Sequence, residues 1–152
     1  MKKTQMLIKL VLLSLLCTMM PSANAVGSES SGKASLTIVA TGIKSDQGFV
    51  RAMLCAEGER FPNQCQIKQI KKATKGMVKF TFTDVPSGTW AFAAFHDEND
   101  DKRINFNSGR MPAEGLLFSN NAMGRVGPPS FKQSAFELQN DKKLLVKARY
   151  FK

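Results

Sequence analysis

The sequence predicts an all-β domain, an antiparallel sandwich of about seven short strands, and three observations predict it. Apolar and polar residues alternate with period two in most segments between Lys33 and Tyr150. Gly, Pro, Asn and Asp interrupt those segments at frequent intervals. Helical periodicity is scarce, which leaves the two-sheet immunoglobulin-like arrangement as the leading architecture.

The chain opens with Lys2, Lys3 and Lys9, an uncharged run from Leu10 to Met20, and then Pro21-Ser22-Ala23-Asn24-Ala25. Charged, apolar and small-residue regions in that order predict a secretory signal peptide over residues 1–25, cleaved after Ala25. The apolar run is shorter than a helix needs to cross a bilayer. Cys17 is preceded by Leu16, where a lipid-attachment site wants a small residue. Cleavage leaves 127 of the 152 residues, the size of one domain, with 26–32 as a flexible linker and 33–152 as the sandwich. It also leaves Cys55 and Cys65 as the remaining cysteines, predicted to form a disulfide in a periplasmic or secreted protein.

Net charge falls from +10 to +7 when the three leader lysines are removed, so the predicted partners are anionic: an envelope component, an acidic glycan or an acidic protein. No zinc-ligand spacing, basic capped helix or interleaved aromatic and basic strand points to nucleic acid.

In order along the domain, Leu36, Ile38 and Ala40 form the inward face of a first strand, with Ser35, Thr37 and Thr41 outward. A turn over Gly42–Gly48 leads to a second strand, Phe49–Cys55, and then a polar loop with Pro62. Lys68, Lys71, Lys72 and Lys75 would form one stripe on a helix. Ile67 and Ile70 offer too little apolar surface for one, so an edge strand guarded by lysines is the preferred reading, with Lys75-Gly76 as a hairpin turn. Val78, Phe80 and Phe82 alternate with Lys79, Thr81 and Thr83 and are assigned to the core. Val85–Trp90 is a tight turn, and Trp90–Phe95, apolar on both faces, is a central strand. From Asp97 to Pro129 the chain is loop-like, interrupted by Leu116-Leu117-Phe118. Ala135–Leu138, a turn at Asn140-Asp141, and a last strand with Leu144, Val146, Ala148 and Tyr150 inward complete the domain.

Four motifs occur in sequence: His96-Asp97-Glu98-Asn99, Pro112-Ala113-Glu114-Gly115, Phe118-Ser119-Asn120-Asn121 and Gly127-Pro128-Pro129-Ser130-Phe131. With them the chain, from Leu36 to Tyr150, closely resembles the exported bacterial family called domain of unknown function 2141. That resemblance implies export and a β-sandwich, and no established activity comes with it. The Phe82–Trp90 segment, with its Pro-x-Gly turn and aromatic, also resembles transthyretin-like and carboxypeptidase-regulatory sandwich modules, which are usually binding or structural modules. Members of the first family commonly read Asp-Glu-Asn-Gly-Asn-Gly-Lys-Leu-Asp after the His. Here Asp100 and Lys102 stand where the two glycines would be, and Asn105 replaces the closing Asp.

Asp97, Asn99, Asp101 and Asn105 recur at the spacing of calcium-loop positions one, three, five and nine, and Arg103 could offer its backbone carbonyl. Lys102 and Ser108 occupy positions that such a loop gives to Gly and a bidentate Glu, so the loop is degenerate, and Glu114 is the residue that could complete the shell. The competing reading, a network of polar turns, is the preferred one. His96, the single histidine, is read as a hydrogen-bonded pin for the long loop. As a catalytic base it would need Ser119 or Ser130 as nucleophile and Asp97 or Glu114 as orienting carboxylate, and no nucleophile-elbow motif is present. An acid and base pair of Glu98 and Glu114 is weaker still.

The sequence thus predicts a non-enzymatic exported module that binds a ligand or partner through the Asp97–Ser130 loops, using His96, Glu98, Glu114, Ser119, Asn120 and Asn121. A calcium ion is the one candidate cofactor. The alternatives are a small hydrolase built on His96, and a structural envelope protein held to anionic surfaces by Lys68, Lys71, Lys72 and Lys75.

Overall fold

A computed structural model describes residues 32–151. The expected signal peptide and all but Gly32 of the expected linker lie outside the described residues. Eight strands are present: β1 (Lys33–Ile43), β2 (Phe49–Ala56), β3 (Ile67–Lys72), β4 (Gly76–Pro86), β5 (Gly88–Asp97), β6 (Gly115–Phe118), β7 (Ala135–Leu138) and β8 (Lys142–Lys147). They form two sheets. One has the order β4-β1-β8, and the other has β3-β2-β5-β6, with β7 also paired to β5.

The alternation read from the sequence is realised. Leu36, Ile38 and Ala40 of β1 and Val78, Phe80 and Phe82 of β4 are buried against Val50, Ala52 and Leu54 of β2 and Phe92 and Ala94 of β5. Phe80, Phe82 and Phe92 meet with ring centroids 6.2–6.5 Å apart, so the aromatic side chains of both sheets interlock across the sandwich. β5 is central, as its two-faced apolar composition requires. β2 lies along one edge; β6 and β7 lie in tandem along the other, β6 opposite Ala93–His96 and β7 opposite Gly88–Ala91. Its odd-numbered side chains, Ala93 and Phe95, join Leu116 and Phe118 in a second cluster on the outer face, packed against Met53, Phe61, Ala122 and Phe151.

Three features differ from the sequence reading. Lys75-Gly76 is not a hairpin turn: β3 and β4 belong to different sheets, and residues 73–75 form a corner between them, anchored by the buried Ala73 and its N–H bond to the Gly48 carbonyl at 3.0 Å. The Val85–Trp90 turn is likewise a corner between sheets, clamped by the Trp90 indole N–H on the Pro86 carbonyl at 2.9 Å. The sandwich is not wholly antiparallel, because β1 and β8 pair in parallel from Leu36↔Lys142 to Thr41↔Lys147. A short helix, α1 (Phe131–Ser134), also forms behind a capping box in which Ser130 and Gln133 exchange side-chain bonds.

β3 is an edge strand, and as a strand it splits the lysine stripe. Lys68 and Lys72 lie opposite Met53 and Phe49 on the outer face, Lys71 turns inward with its ammonium 5.8 Å from the Phe80 ring centroid, and Lys75 sits in the corner, where its N–H bonds Asp46.

Cys55 and Cys65 are joined by a disulfide that closes a ten-residue interval around the loop carrying Phe61. Restricting the unfolded chain over so short a loop is worth about 2–3 kcal/mol. The Cys55→Ser/Cys65→Ser variant should therefore unfold at lower denaturant concentration by that amount while keeping its β-sheet circular dichroism; loss of the sheet signal would mean that the bridge founds the fold.

Candidate functional site

Consecutive strand residues point to opposite faces. That rule divides His96 from Asp97 at the end of β5. His96 faces the core side and is fully buried, with Nε2 2.8 Å from the Gln47 carbonyl and Nδ1 2.8 Å from the Tyr150 hydroxyl. A carbonyl only accepts, so Nε2 donates and Nδ1 accepts from Tyr150. The Tyr150 oxygen in turn accepts from the Lys44 N–H at 3.1 Å, and burial pushes its pKa up. Gly115 makes this packing possible, since a Cβ there would lie 2.4 Å from the Tyr150 ring. His96 thus ties the β1–β2 connection and the C-terminal segment to β5, and both ring nitrogens are occupied.

The candidate nucleophiles lie elsewhere. Ser119 is buried in a single 3-10 turn, accepting from the Phe92 N–H at 3.0 Å and donating to the Ser134 carbonyl. Phe92 and His96 are four residues apart on an extended strand, roughly 13 Å, so Ser119 and His96 are not brought together. Asn120 donates to the Ala135 carbonyl at 2.8 Å, and Asn121 accepts from the Lys147 N–H at 2.8 Å. These residues join the 3-10 turn to α1, β7 and β8. Ser130 is the cap of α1.

Asp97 faces the outer side of its sheet and is fully buried there. Its Oδ2 receives the Arg51 Nε–H at 2.5 Å and the Lys102 N–H at 3.0 Å. Arg51, opposite Phe95 on β2, reaches Asp97 diagonally and also holds Asp100; these bonds, the one to Asp97 foremost, raise its pKa and keep it charged. β6 delivers the second carboxylate. Its register, Phe95↔Leu116 and His96↔Gly115, continued by one residue, sets Glu114 beside Asp97. Glu114 is 4% exposed, and its Oε2 accepts from the Asn105 N–H at 3.1 Å. Asp101 enters from the exposed loop, where its bonds from the Asn105 side chain at 2.8 Å and the Arg103 N–H at 2.9 Å hold its pKa down. Asp97, Asp101 and Glu114 each present a carboxylate oxygen, all within 4.8 Å of one another. One oxygen of each buried member, Asp97 Oδ1 and Glu114 Oε1, has no hydrogen-bond partner.

The remaining calcium-loop residues brace this cluster. Asn99 accepts from the Asp101 N–H and donates to Asn105, both at 3.3 Å, which is the polar turn network read from the sequence. Asp100 and Lys102 have φ of 57° and 67°, so the backbone is left-handed at the two positions where the expected family pattern has glycine. Glu98 stands apart. Burial works against its charge, but Lys44 at 2.7 Å and the Ser45 hydroxyl at 2.6 Å outweigh this and hold its pKa below the usual range. Gly48 fits beneath the Asp97 backbone, where a Cβ would lie 1.9 Å from the Asp97 carbonyl oxygen.

Sequence reasoning missed Arg51, Gln47 and Gly48 as partners of this region. An arginine in a strand that otherwise packs apolar residues was the one available signal for the first.

Residues 38–145 match the model of the family described as "Uncharacterized protein conserved in bacteria (DUF2141)", and the chain belongs to that family. Comparison with curated proteins and with solved structures gives no match.

Burial, with the charges of Asp97, Asp101 and Glu98 nearby, raises the Glu114 pKa from 4.5 to about 7. Below pH 4.5 the folded and unfolded chains both hold this proton; between 4.5 and about 7 only the folded chain does. Unfolding then releases a proton, so metal-free stability falls as pH rises through that window, by roughly 3 kcal/mol from this group. Denaturant titrations of wild type and Glu114→Gln should diverge by that amount between pH 4 and pH 8, with the variant the flatter; parallel curves would mean the carboxyl is not desolvated.

The left-handed Lys102 backbone costs about 1 kcal/mol relative to glycine, offset in part by the freedom glycine has in the unfolded chain. Lys102→Gly is expected to be neutral or stabilising by up to about 1 kcal/mol, whereas Lys79→Gly within β4 should destabilise by about 1 kcal/mol. Equal losses at both positions, measured by thermal denaturation, would refute the strain.

Proposed function

We propose that this member of the family is an exported, non-enzymatic binding module whose outer-face carboxylates, Asp97, Asp101 and Glu114, hold a calcium ion. The observation that carries this reading is the pair of buried, unpartnered oxygens, Asp97 Oδ1 and Glu114 Oε1, on two residues that are 0% and 4% exposed. Leaving such an atom without a partner costs about 1–3 kcal/mol, more for a charged group, and a cation removes that penalty. Two oxygens bound to one calcium at 2.3–2.6 Å lie no more than roughly 5 Å apart, which the 4.8 Å span satisfies. Carboxylate oxygens are the ligands a hard cation prefers, and the exposed side of Asp101 leaves room for water to complete the shell.

The site differs from the linear loop that the sequence spacing suggested. Asp97 and Asp101 keep their places, Glu114 supplies the third carboxylate across the β5–β6 pairing, and Asn99 and Asn105 act as braces. Export is supported by the leader-like order of residues 1–25 and by the disulfide, which suits an oxidising compartment. The non-enzymatic reading is supported by the full engagement of His96 and Ser119. Among the described residues no helix is long and apolar enough to cross a membrane.

A cation that binds only the folded chain raises its melting temperature by mass action. Millimolar calcium should raise the midpoint of the metal-stripped wild type and leave Asp101→Asn/Glu114→Gln unmoved, a variant that spares the Arg51–Asp97 pair. Because the cation must displace the Glu114 proton, the rise should be larger at pH 8 than at pH 6. A calcium response shared by the variant would place the ion elsewhere, and none in the wild type would end the reading.

A further inference from the structure

Among the described residues, most large apolar side chains that are exposed stand singly along the sequence: Ile70, Met77 and Leu145 on strands, and Val126 in a Gly-Pro loop. The exception is the hairpin that rises from the carboxylate cluster. Within residues 102–113, Ile104, Phe106 and Met111 are 37%, 63% and 39% exposed. The same stretch carries Lys102, Arg103 and Arg110 and no acidic residue.

The hairpin is a built object. Phe106 and Pro112 form an isolated antiparallel bridge, the Asn107 N–H bonds the Met111 carbonyl at 2.9 Å, and the Ala113 N–H bonds the Asn105 carbonyl at 2.9 Å. At its tip the Asn107 Oδ1 accepts from the Gly109 and Met111 N–H groups at 3.1 and 3.0 Å. These bonds satisfy the backbone while apolar side chains remain in water. At its foot Asn105 joins both Asp101 and Glu114, so the cation ligands and the hairpin share a base.

We infer that residues 102–113 are a wedge that docks the calcium-loaded protein onto an anionic lipid bilayer, with Phe106, Met111 and Ile104 entering the headgroup boundary and Lys102, Arg103 and Arg110 meeting the lipid phosphates. The inference rests on the calcium reading. Apolar burial and attraction between basic side chains and anionic headgroups are the two contributions from which interfacial binding is built, and this hairpin combines them. An acidic glycan would use the three cations and leave Phe106 and Met111 without a role; a bilayer uses both. The cation explains how the surface tolerates the lipid. Without it, the carboxylates of Asp97, Asp101 and Glu114 stand at the hairpin's foot, with those of Asp100 and Glu98 nearby, opposed by Arg51 and Lys44. With it, two of the three ligand charges are cancelled and the basic hairpin dominates this end of the sandwich.

The test is co-sedimentation of the oxidised protein with vesicles of phosphatidylglycerol and phosphatidylcholine, or of phosphatidylcholine alone, in calcium or in EDTA. Binding to the anionic vesicles in calcium should exceed each of the other conditions by more than about tenfold. Phe106→Ser/Met111→Ser should lose that binding while keeping the calcium-induced rise in melting temperature measured without vesicles. Equal binding to both vesicle types, binding unchanged in EDTA, or a variant that sediments like the wild type overturns the proposal. A calcium response of the midpoint with no vesicle binding overturns docking alone, whereas no calcium response overturns the cation reading on which it rests. Capture of the protein by soluble polygalacturonate, to the same extent in wild type and the Phe106/Met111 variant and with no sedimentation on vesicles, would assign the three cations to a glycan instead.

Discussion

β5 is enclosed on every side: β2 and the β6–β7 pair take its two edges, the main core lies against one face and the smaller Phe95 cluster against the other. A strand so confined has no freedom of register, because a one-residue slip would exchange every side chain between the two faces. The rest of the structure follows from that constraint. Even-numbered residues from Trp90 to Ala94 fill the sandwich, and His96, next on that face, closes its end. Odd-numbered residues build an outer face whose last position is Asp97. A histidine and a carboxylate adjacent in sequence therefore serve unrelated environments, one as a core tie and the other as the base of a charged cluster.

The electrostatics of that cluster are unbalanced in a specific way. Arg51 answers Asp97 and Asp100, and Lys44 answers Glu98, yet among the described residues nothing of positive charge pairs with Glu114. The chain spends no arginine on the second buried carboxyl and leaves one oxygen of each buried member bare. Elsewhere Ser119, His96 and the Trp90 indole each have partners within hydrogen-bond distance, and the Ser134 hydroxyl is the one buried side-chain group outside the cluster, among the described residues, without one. The contrast between the bare carboxylate oxygens and the fully engaged histidine is what supports the proposal of a cation at the cluster.

Much of the sandwich was legible because period-two patterning is a one-dimensional signal. The core faces of β1, β4 and β8, the centrality of β5 and the edge character of β3 follow from which side chains are apolar and which are lysine. The corners at residues 73–75 and 86–88 were legible as turns but not as crossings, since Gly and Pro specify backbone reversal without specifying which sheet receives the next strand. Nothing in β8 encodes its parallel partner. The helix α1 had its signal in Ser130-x-x-Gln133, a capping box with too short an apolar sequel to stand out. At the site, Asp97 and Asp101 were visible through spacing. Glu114 could only be suggested, because its approach depends on β6 pairing back onto β5 after a long loop. Asp100 and Lys102 depart from the expected glycines in sequence, but in space both adopt the left-handed backbone that glycine favours.

The parallel pairing of β1 with β8 has a kinetic meaning. β1 is the middle strand of its sheet, and one of its two neighbours arrives from more than a hundred residues downstream, at Lys142–Lys147. Contacts of that sequence separation form late, since the intervening chain must be closed into a loop before they return any stabilisation. Until then the first sheet is a two-stranded ribbon with an open edge, and such a ribbon holds together poorly in water. The topology thus places completion of the first sheet late in folding. β8 is the strand that closes this sheet, and its pairing covers the edge of β1 that the β1–β4 ribbon leaves open.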